Sequence, residues 1–188
     1  MRRRYLGIAA ALFFVFIGFA QERKKKYYNF RLEGEEVVFS HSYKYNLSPS
    51  TVKSRLSQLL TSQPSFVSLR SIPKGYELEI SDLRIPMGAY KLKQDSILSA
   101  FDHMFTANVR VQFLTTGGYR VEVRKMVFTS KVISPLDFLE ESKKRKTIEQ
   151  QVLEKNGDGF RHTEPKVRRS LMLLHSDLVS LFRIPNSP

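Results

Sequence analysis

Residues 109–128 read VRVQFLTTGGYRVEVRKMVF, two runs of alternating apolar and polar residues around a Thr-Thr-Gly-Gly centre. Successive side chains of a strand point to opposite faces, so this alternation predicts two half-buried antiparallel strands joined as a hairpin. A three-residue loop over residues 116–118 pairs Phe113 with Val121 and keeps the apolar side chains on one face. That loop also places Gly118 where a left-handed residue is required. The pattern therefore predicts a sheet with one apolar face and one polar face.

The polar face of this hairpin holds the candidate binding residues. It carries Arg110, Gln112, Arg120, Glu122 and Arg124. The three arginines, Arg110, Arg120 and Arg124, could bind an anion as an exposed basic face, but the simpler interpretation is the solvated side of an ordinary sheet. Sheets that bind nucleic acids interleave stacking aromatic residues with their charges, and here every aromatic residue except Phe128 falls on the apolar face. The pattern therefore favours an ordinary sheet, and no nucleic-acid partner is expected.

The N-terminus has the layout of a secretory signal peptide. Arg2 to Arg4 form a positive segment, and the 16 residues from Tyr5 to Ala20 carry no charge. Gly18 and Ala20 are small residues before a possible cleavage point. The apolar run is shorter than the ~20 residues of a spanning helix. Because Arg23 to Lys26 follow at once and basic flanks resist translocation, the alternative is a membrane anchor over residues 5–20. We expect residues 1–20 to be removed and the protein to be exported, either to the periplasm or to the medium.

The charge balance favours an anionic partner. The chain has 31 basic and 18 acidic residues and a formal net charge of +13. Removing residues 1–20 leaves 28 basic and 18 acidic residues, a net charge of +10. A surplus of this size raises the odds of a nucleic acid, an anionic lipid or a polysaccharide as partner. The absence of cysteine excludes a disulfide framework, a thiolate metal site, a cysteine nucleophile and lipid attachment at an N-terminal cysteine.

Extended and helical patterns follow one another between residues 37 and 105. Residues 37–45 alternate as a strand with the odd-numbered side chains on its apolar face. Ser48 and Pro49 then predict the start of an amphipathic helix, with apolar residues at Val52, Leu56, Leu59 and Leu60. A second hairpin is predicted with its turn over residues 72–75, which places Val67 on the same face as Tyr76. Residues 86–95 are predicted to be an irregular crossover, and the spacing in SILSAFDHMF predicts a short helix over residues 96–105.

Helical patterns dominate the C-terminal part of the chain. Ser134 and Pro135 can start a helix that continues through residue 155, and Asn156 to Gly159 end it. Thr163 and Pro165 then open a last helix. Its apolar seam consists of Val167, Leu171, Leu174, Leu178 and Leu181. This seam needs an apolar surface to cover, and the one-sided sheet supplies one.

The element order, β-α-β-β-β-β-α, predicts an α+β fold, with a curved antiparallel sheet of about five strands and helices packed on one face. Two stretches, VVFSHSYKYNLSPSTVKSRLSQLL (Val37 to Leu60) and VRVQFLTTGGYRVEVRKMVF (Val109 to Phe128), resemble a secreted bacterial domain of unknown function described as TATA-binding-protein-like (TBP-like). The resemblance implies this fold and brings no catalytic residue, and the name of a fold assigns no DNA binding. The expected organisation is a signal peptide over residues 1–20, a flexible basic lead-in over 21–35, the TBP-like sheet domain over 36–132 and a C-terminal helical segment over 133–188.

The sequence contains no motif for catalysis or metal binding. His41, His103, His162 and His175 lack the spacing of metal ligands, and no serine lies in a Gly-x-Ser-x-Gly turn. No cofactor or metal is expected. Basic clusters occur at Arg23 to Lys26, at Lys143, Lys144, Arg145 and Lys146, and at Arg161, Lys166, Arg168 and Arg169. Each is most simply a solvated face, but each could also hold an anionic surface at ~1 kcal/mol per charge.

The function indicated by these features is an exported, non-enzymatic interaction module of the bacterial envelope. Its partner would be an envelope protein or an anionic glycan or lipid. A first alternative is a hydrolase whose site is assembled from scattered residues around Asp102 and His103. A second is a nucleic-acid-binding module, which requires the N-terminal segment to stay uncleaved or in the cytoplasm.

Overall fold

A computed structural model describes residues 26–85, 96–115, 117–129 and 145–185. These residues form an antiparallel sheet with helices. The strands are β1 (Lys26–Tyr27), β2 (Phe30–Glu33), β3 (Glu36–Tyr43), β4 (Phe66–Ile72), β5 (Gly75–Arg84), β6 (Met104–Phe113), β7 (Tyr119–Thr129) and β8 (Arg145–Thr147). The helices are α1 (Pro49–Ser62), a single 3-10 turn (Ser99–Asp102), α2 (Ile148–Val152) and α3 (Pro165–Leu181). The expected signal peptide lies outside the described residues, as does the expected crossover over residues 86–95.

The sheet has the order β1-β2-β3-β7-β6-β5-β4, and β8 also pairs with β7. The α+β class with an antiparallel sheet is therefore confirmed, but the described residues contain eight strands rather than about five. Two of the additional strands, β1 and β2, replace the expected flexible lead-in over residues 26–33. The third, β8, lies where a helix was expected. Strand β8 pairs with the last residues of β7, whereas β3 pairs with the first residues of the same strand.

The β6–β7 hairpin keeps the predicted faces but has a different register. Phe113 pairs with Tyr119, not with Val121, and Val111 pairs with Val121. The shift is two residues, so the same side chains stay on the buried face, because faces alternate with a period of two. Gly117 and Gly118 both have positive φ, 84° and 94°, as the left-handed expectation at Gly118 required.

A bulge at Lys125 reverses the faces of β7 beyond the hairpin's first half. The register shifts between Thr106 and Asn108 on β6, and Lys125 has a φ of 50° on β7. Glu36 on β3 holds this bulge by accepting a hydrogen bond from the Lys125 amide (3.2 Å). An inserted residue turns the following side chains to the opposite face. Phe128 is therefore buried, contrary to the expectation from unbroken alternation.

A second bulge explains why Val67 is exposed. The turn between β4 and β5 lies at residues 73–74, as the sequence indicated, with Ile72 paired to Gly75. The register then shifts between Val67 and Arg70, where Ser68 has a φ of 56°. Val67 pairs with Glu79 and is 38% exposed, so the expectation that it joins the apolar face is wrong.

Two of the four predicted helices are shorter than expected, and the other two, α1 and α3, match. Helix α1 begins after Ser48, whose side chain accepts a hydrogen bond from the Thr51 amide, and has Pro49 in its first turn. The helix expected over residues 96–105 is a single 3-10 turn, because β6 already begins at Met104. Of the helix expected from Ser134 onward, the described part is β8 followed by the five residues of α2.

Helix α3 covers the apolar face of the sheet. Its buried residues are Val167, Ser170, Leu171, Leu173, Leu174 and Leu178, and all of them except Ser170 belong to one hydrophobic core with β3, β6 and β7. The Tyr43 hydroxyl donates to the Val179 carbonyl (2.9 Å), and the Tyr119 hydroxyl donates to the Phe182 carbonyl. Tyrosines of the sheet therefore bind the end of α3 to the buried face. Among the described residues, no helix combines the length and apolarity that crossing a bilayer requires.

Candidate functional site

The uncovered face of the sheet carries charged side chains around a groove of about 430 Å³. The groove lies across β4 to β7. Its lining includes Arg70, Glu77, Glu79, Asn108, Arg110, Glu122 and Arg124. We call the whole uncovered face of the sheet the open face. It carries all three arginines that the sequence indicated as candidate binding residues, with Arg110 and Arg120 exposed and Arg124 half-buried.

Carboxylates neutralise most of the arginines on the open face. Arg110 pairs with Glu77 on β5 (Nη2 to Oε1, 2.9 Å). Arg124 pairs with Glu33 (2.6 Å) and with Glu36 (2.9 Å), residues that the β2–β3 turn brings beside β7. Hydrogen bonds from Arg124, and secondly from Arg31, hold the pKa of Glu33 below its ordinary value. The guanidinium groups of Arg110 and Arg124 are therefore already paired with carboxylates of the same face.

Arg70 and Arg120 differ from Arg110 and Arg124, since neither makes an ion pair within the described residues. The Nε of Arg120 lies 3.4 Å from the Ser42 hydroxyl. Each aromatic residue of β3 to β7 is buried or packed against the core. The open face therefore lacks the stacking side chains that single-stranded nucleic acids require.

The basic run near residue 145 is only partly described. Lys143 and Lys144 lie outside the described residues. Arg145 is exposed at the start of β8, and Lys146 is half-buried opposite Phe128 of β7. The structure therefore places these two basic residues on a strand edge rather than on a helix.

A second surface combines aromatic, apolar and basic side chains. Its groove, of about 220 Å³, is lined by Tyr27, Tyr28, Pro165, Arg168, Arg169 and Met172. We call it the basic–aromatic patch. The large apolar side chains exposed among the described residues are Tyr28 (47%), Leu47 (37%), Val67 (38%) and Met172 (40%). Two of these four, Tyr28 and Met172, lie together in this groove.

The β1–β2 turn holds Tyr28 at the surface. Tyr27 pairs with Phe30, so Tyr28 and Asn29 form a two-residue turn in which Tyr28 has a φ of 52°. Glycine is favoured at such a position, and a tyrosine there costs about 1–2 kcal/mol of strain. The side-chain amide of Asn29 donates to Nδ1 of His41, and the Asn29 carbonyl accepts from the Ser40 amide (2.9 Å), so β3 fixes the turn.

Rings of neighbouring elements support Tyr28 from below. Its ring lies 4.7 Å from that of Tyr27, edge to face, and 5.2 Å from the imidazole of His175 on α3. Partial burial raises the pKa of the Tyr28 hydroxyl, with a further contribution from Tyr27, while Arg168 acts in the opposite direction. The Tyr28 hydroxyl thus stays protonated although the positive charge of Arg168 lies nearby.

Helix α3 supplies the remainder of the patch. Met172 follows Arg168 by four residues and Arg169 by three, and both spacings place side chains on the same side of a helix. All three are exposed, whereas Val167 and Leu171 are buried. Within the described residues, neither arginine makes an ion pair, and Glu164, one turn earlier, already binds Arg161 (3.1 Å). The patch therefore has two cationic groups without carboxylate partners beside exposed apolar surface.

The histidines do not form a recognisable catalytic site. His103 is half-buried after the 3-10 turn, and the side chain of Asp102 lies outside the described set. Two further grooves lie beside α1 and beside β8, of about 240 and 510 Å³, and no histidine lines any of the four grooves. Over the described ranges, no group of three or more histidine, aspartate and glutamate side chains is placed to hold a metal.

Two solved structures are similar to this chain. One is a DUF4468 family protein from Bacteroides ovatus ATCC 8483, with 13% identity, a TM-score of 0.44 and coverage of 89% of this chain and 98% of that chain. The other is a TBP-like protein from Parabacteroides distasonis ATCC 8503, with 15% identity, a TM-score of 0.43 and coverage of 80% and 95%. Their descriptions agree with the family that the sequence resembles. No family model matches the chain, and neither does any curated protein. At this degree of similarity, the two structures say nothing about function.

Proposed function

We propose that this protein is an exported, non-enzymatic interaction module of the bacterial envelope, and that the basic–aromatic patch is its contact surface. The observation that carries the proposal is the exposure of Tyr28 and Met172 in one groove with Arg168 and Arg169. Exposed apolar residues scattered singly are ordinary, but a cluster of them marks a contact surface. Tyrosine, methionine and arginine are also the residue types enriched where proteins meet partners.

The strain at Tyr28 supports a role for the patch beyond folding. A positive φ at a tyrosine persists only where the surrounding structure enforces it, and such positions concentrate at binding sites. Here the hydrogen bonds of Asn29 enforce it, and the result is a ring held 47% exposed.

The open face supports a binding role less well. Arg110 and Arg124 already have carboxylate partners, so an incoming anion would have to displace Glu77 or Glu33 and Glu36. Exposed ion pairs of this kind contribute about 0–1 kcal/mol each, and the face remains well solvated without a ligand. The ordinary polar side of a sheet accounts for this surface.

Export is tested by a reporter that is active only after translocation. Residues 1–25 and, separately, the full chain are fused to alkaline phosphatase, with a matched fusion lacking residues 5–20. We expect activity from the first two fusions and none from the third, because the uncharged run supplies the export signal. An inactive full-chain fusion would contradict the proposal.

The role of the patch is tested by retention of the protein in its own envelope fraction. The double variant Tyr28→Ser/Met172→Ser should weaken retention, because it removes the exposed apolar surface of the patch. The matched control is Leu47→Ser/Val67→Ser, which removes the other two exposed large apolar side chains. Equal loss for both double variants would show that general hydrophobicity, and not this surface, retains the protein.

A further inference from the structure

We infer that the partner of the basic–aromatic patch is the headgroup layer of an anionic lipid bilayer. The inference rests on the proposed function and names the occupant of the same surface. Tyr28, Arg168, Arg169 and Met172 carry it, together with Lys26, the exposed first residue of β1.

The side chains of the patch match the layers of a membrane surface. Tyrosine is enriched at the interface between headgroups and hydrocarbon, where its ring and its hydroxyl meet different surroundings. Met172 supplies an apolar side chain that can enter the boundary of the acyl region, and the guanidinium groups of Arg168 and Arg169 can pair with lipid phosphates. The apolar and cationic groups lie side by side on one helix face, as contact with a plane requires.

Strand β1 begins with a basic residue directly before the two tyrosines of the patch. Lys26 is the first residue of β1 and is exposed, and Tyr27 and Tyr28 of the patch follow it directly. The sequence before it supplies Arg23, Lys24 and Lys25. If residues 5–20 remain in a bilayer, the six Cα–Cα steps from Ala20 to Lys26 span at most ~22 Å, so the start of β1 lies near that bilayer. If they are removed, Arg23, Lys24 and Lys25 stay next to Lys26 in the sequence of the mature protein.

The chemistry of the groove favours lipid over glycan. Among its lining residues there is no carboxylate and no amide to accept hydrogen bonds from sugar hydroxyls. Two unpaired arginines around exposed aromatic and thioether groups instead suit a surface rich in phosphate and partly apolar.

Vesicle flotation of the full chain tests this inference. Vesicles of phosphatidylcholine are compared with vesicles that also contain phosphatidylglycerol, at 50 and 500 mM salt. Arg168→Gln/Arg169→Gln should lower partitioning onto the anionic vesicles about 30-fold at low salt. The matched control is Arg70→Gln/Arg120→Gln, which removes the same charge from exposed positions of the open face. The uncharged run at residues 5–20 contributes equally to every protein compared.

The outcomes separate the possible causes of binding. The inference would be overturned if Arg70→Gln/Arg120→Gln lowered partitioning onto anionic vesicles as much as Arg168→Gln/Arg169→Gln does, since binding would then depend on net charge alone. Equal partitioning onto neutral and anionic vesicles would also overturn it. A further comparison uses Met172→Ser with glycerol phosphate as the free ligand. A lipid surface is supported if Met172→Ser partitions less onto the vesicles and millimolar glycerol phosphate does not displace the unmodified protein. A simple phosphate site is identified instead if Met172→Ser partitions as the unmodified protein does and glycerol phosphate displaces the protein from the vesicles.

Failure of this inference is distinguishable from failure of the proposed function. An export reporter that is active, together with envelope retention that depends on Tyr28 and Met172 but no preference for anionic vesicles, leaves the interaction module intact and removes only the lipid. Circular dichroism spectra and urea midpoints that match those of the unmodified protein confirm that each variant is folded.

Discussion

Alanine substitutions at Gly117 and Gly118 test how closely the β6–β7 loop approaches β3. Both glycines have positive φ, 84° and 94°, so either substitution strains the backbone. The two positions differ in their surroundings. A Cβ at Gly118 would lie 2.0 Å from the Tyr43 carbonyl oxygen, whereas a Cβ at Gly117 would meet nothing within 4 Å. The pair therefore isolates the contact from the strain.

The expected costs follow from these surroundings. Gly117→Ala should lower the free energy of unfolding by about 1–2 kcal/mol, the cost of a left-handed residue with a Cβ. Gly118→Ala should cost about 2–5 kcal/mol, because displacing the β3 backbone adds a further 1–3 kcal/mol, as overpacking does. Urea unfolding followed by circular dichroism measures both values. If Gly118→Ala is no more destabilising than Gly117→Ala, the loop does not approach β3 and the β3–β7 edge is wrongly described.

Three further predictions concern the core and its titration. Tyr119→Phe should cost about 1–3 kcal/mol in urea unfolding, because the Phe182 carbonyl loses its buried donor; an unchanged midpoint would contradict that hydrogen bond. Leu171→Ala should cost about 2–5 kcal/mol, since this α3 side chain is 1% exposed, and a loss under 1 kcal/mol would show that α3 does not cover the sheet. Burial lowers the pKa of His41, which also faces His175 and Arg183, and burial lowers the pKa of His175. The folded state therefore favours the neutral form of both imidazoles, and protonation favours the unfolded state. Thermal midpoints should fall as the pH drops from about 7 towards 5, and they should fall less in His41→Gln/His175→Gln.

The faces of the central strands were predictable from the sequence because burial follows side-chain alternation. Val111 and Val121 are fully buried while Arg110 and Arg120 are exposed, as predicted. The register was not predictable, since a shift of two residues leaves every side chain on the same face. The predicted and the observed registers both satisfy the pattern, and contacts of Gly118 with β3 distinguish them only in three dimensions.

The bulges left no signal in the sequence. Ser68 and Lys125 adopt positive φ without being glycine, asparagine or aspartate, the residues that usually mark such positions. Each bulge reverses the faces beyond it, which exposes Val67 and buries Phe128. Tertiary contacts such as that of Glu36 with the Lys125 amide hold the bulge, and a local pattern does not contain them.

The candidate site was half predictable. The sequence marked Arg168 and Arg169 as part of a basic cluster, but it did not connect them with Tyr28, which lies far away in the chain. Tyr28, Phe30 and Leu32 alternate with polar residues, which is a strand signal, but the charged residues on both sides of this short run led to the expectation of a linker. Hydrogen bonds of Asn29 to β3 order this segment and bring the tyrosine to α3.

The absence of cysteine allows a direct measurement of which surface meets the bilayer. Single cysteines replacing Met172 in the patch and Arg120 on the open face are each labelled with an environment-sensitive fluorophore, and anionic vesicles are then added. The emission at position 172 should shift to shorter wavelength while that at position 120 stays unchanged. A shift at position 120 with none at position 172 would contradict the basic–aromatic patch as the contact surface.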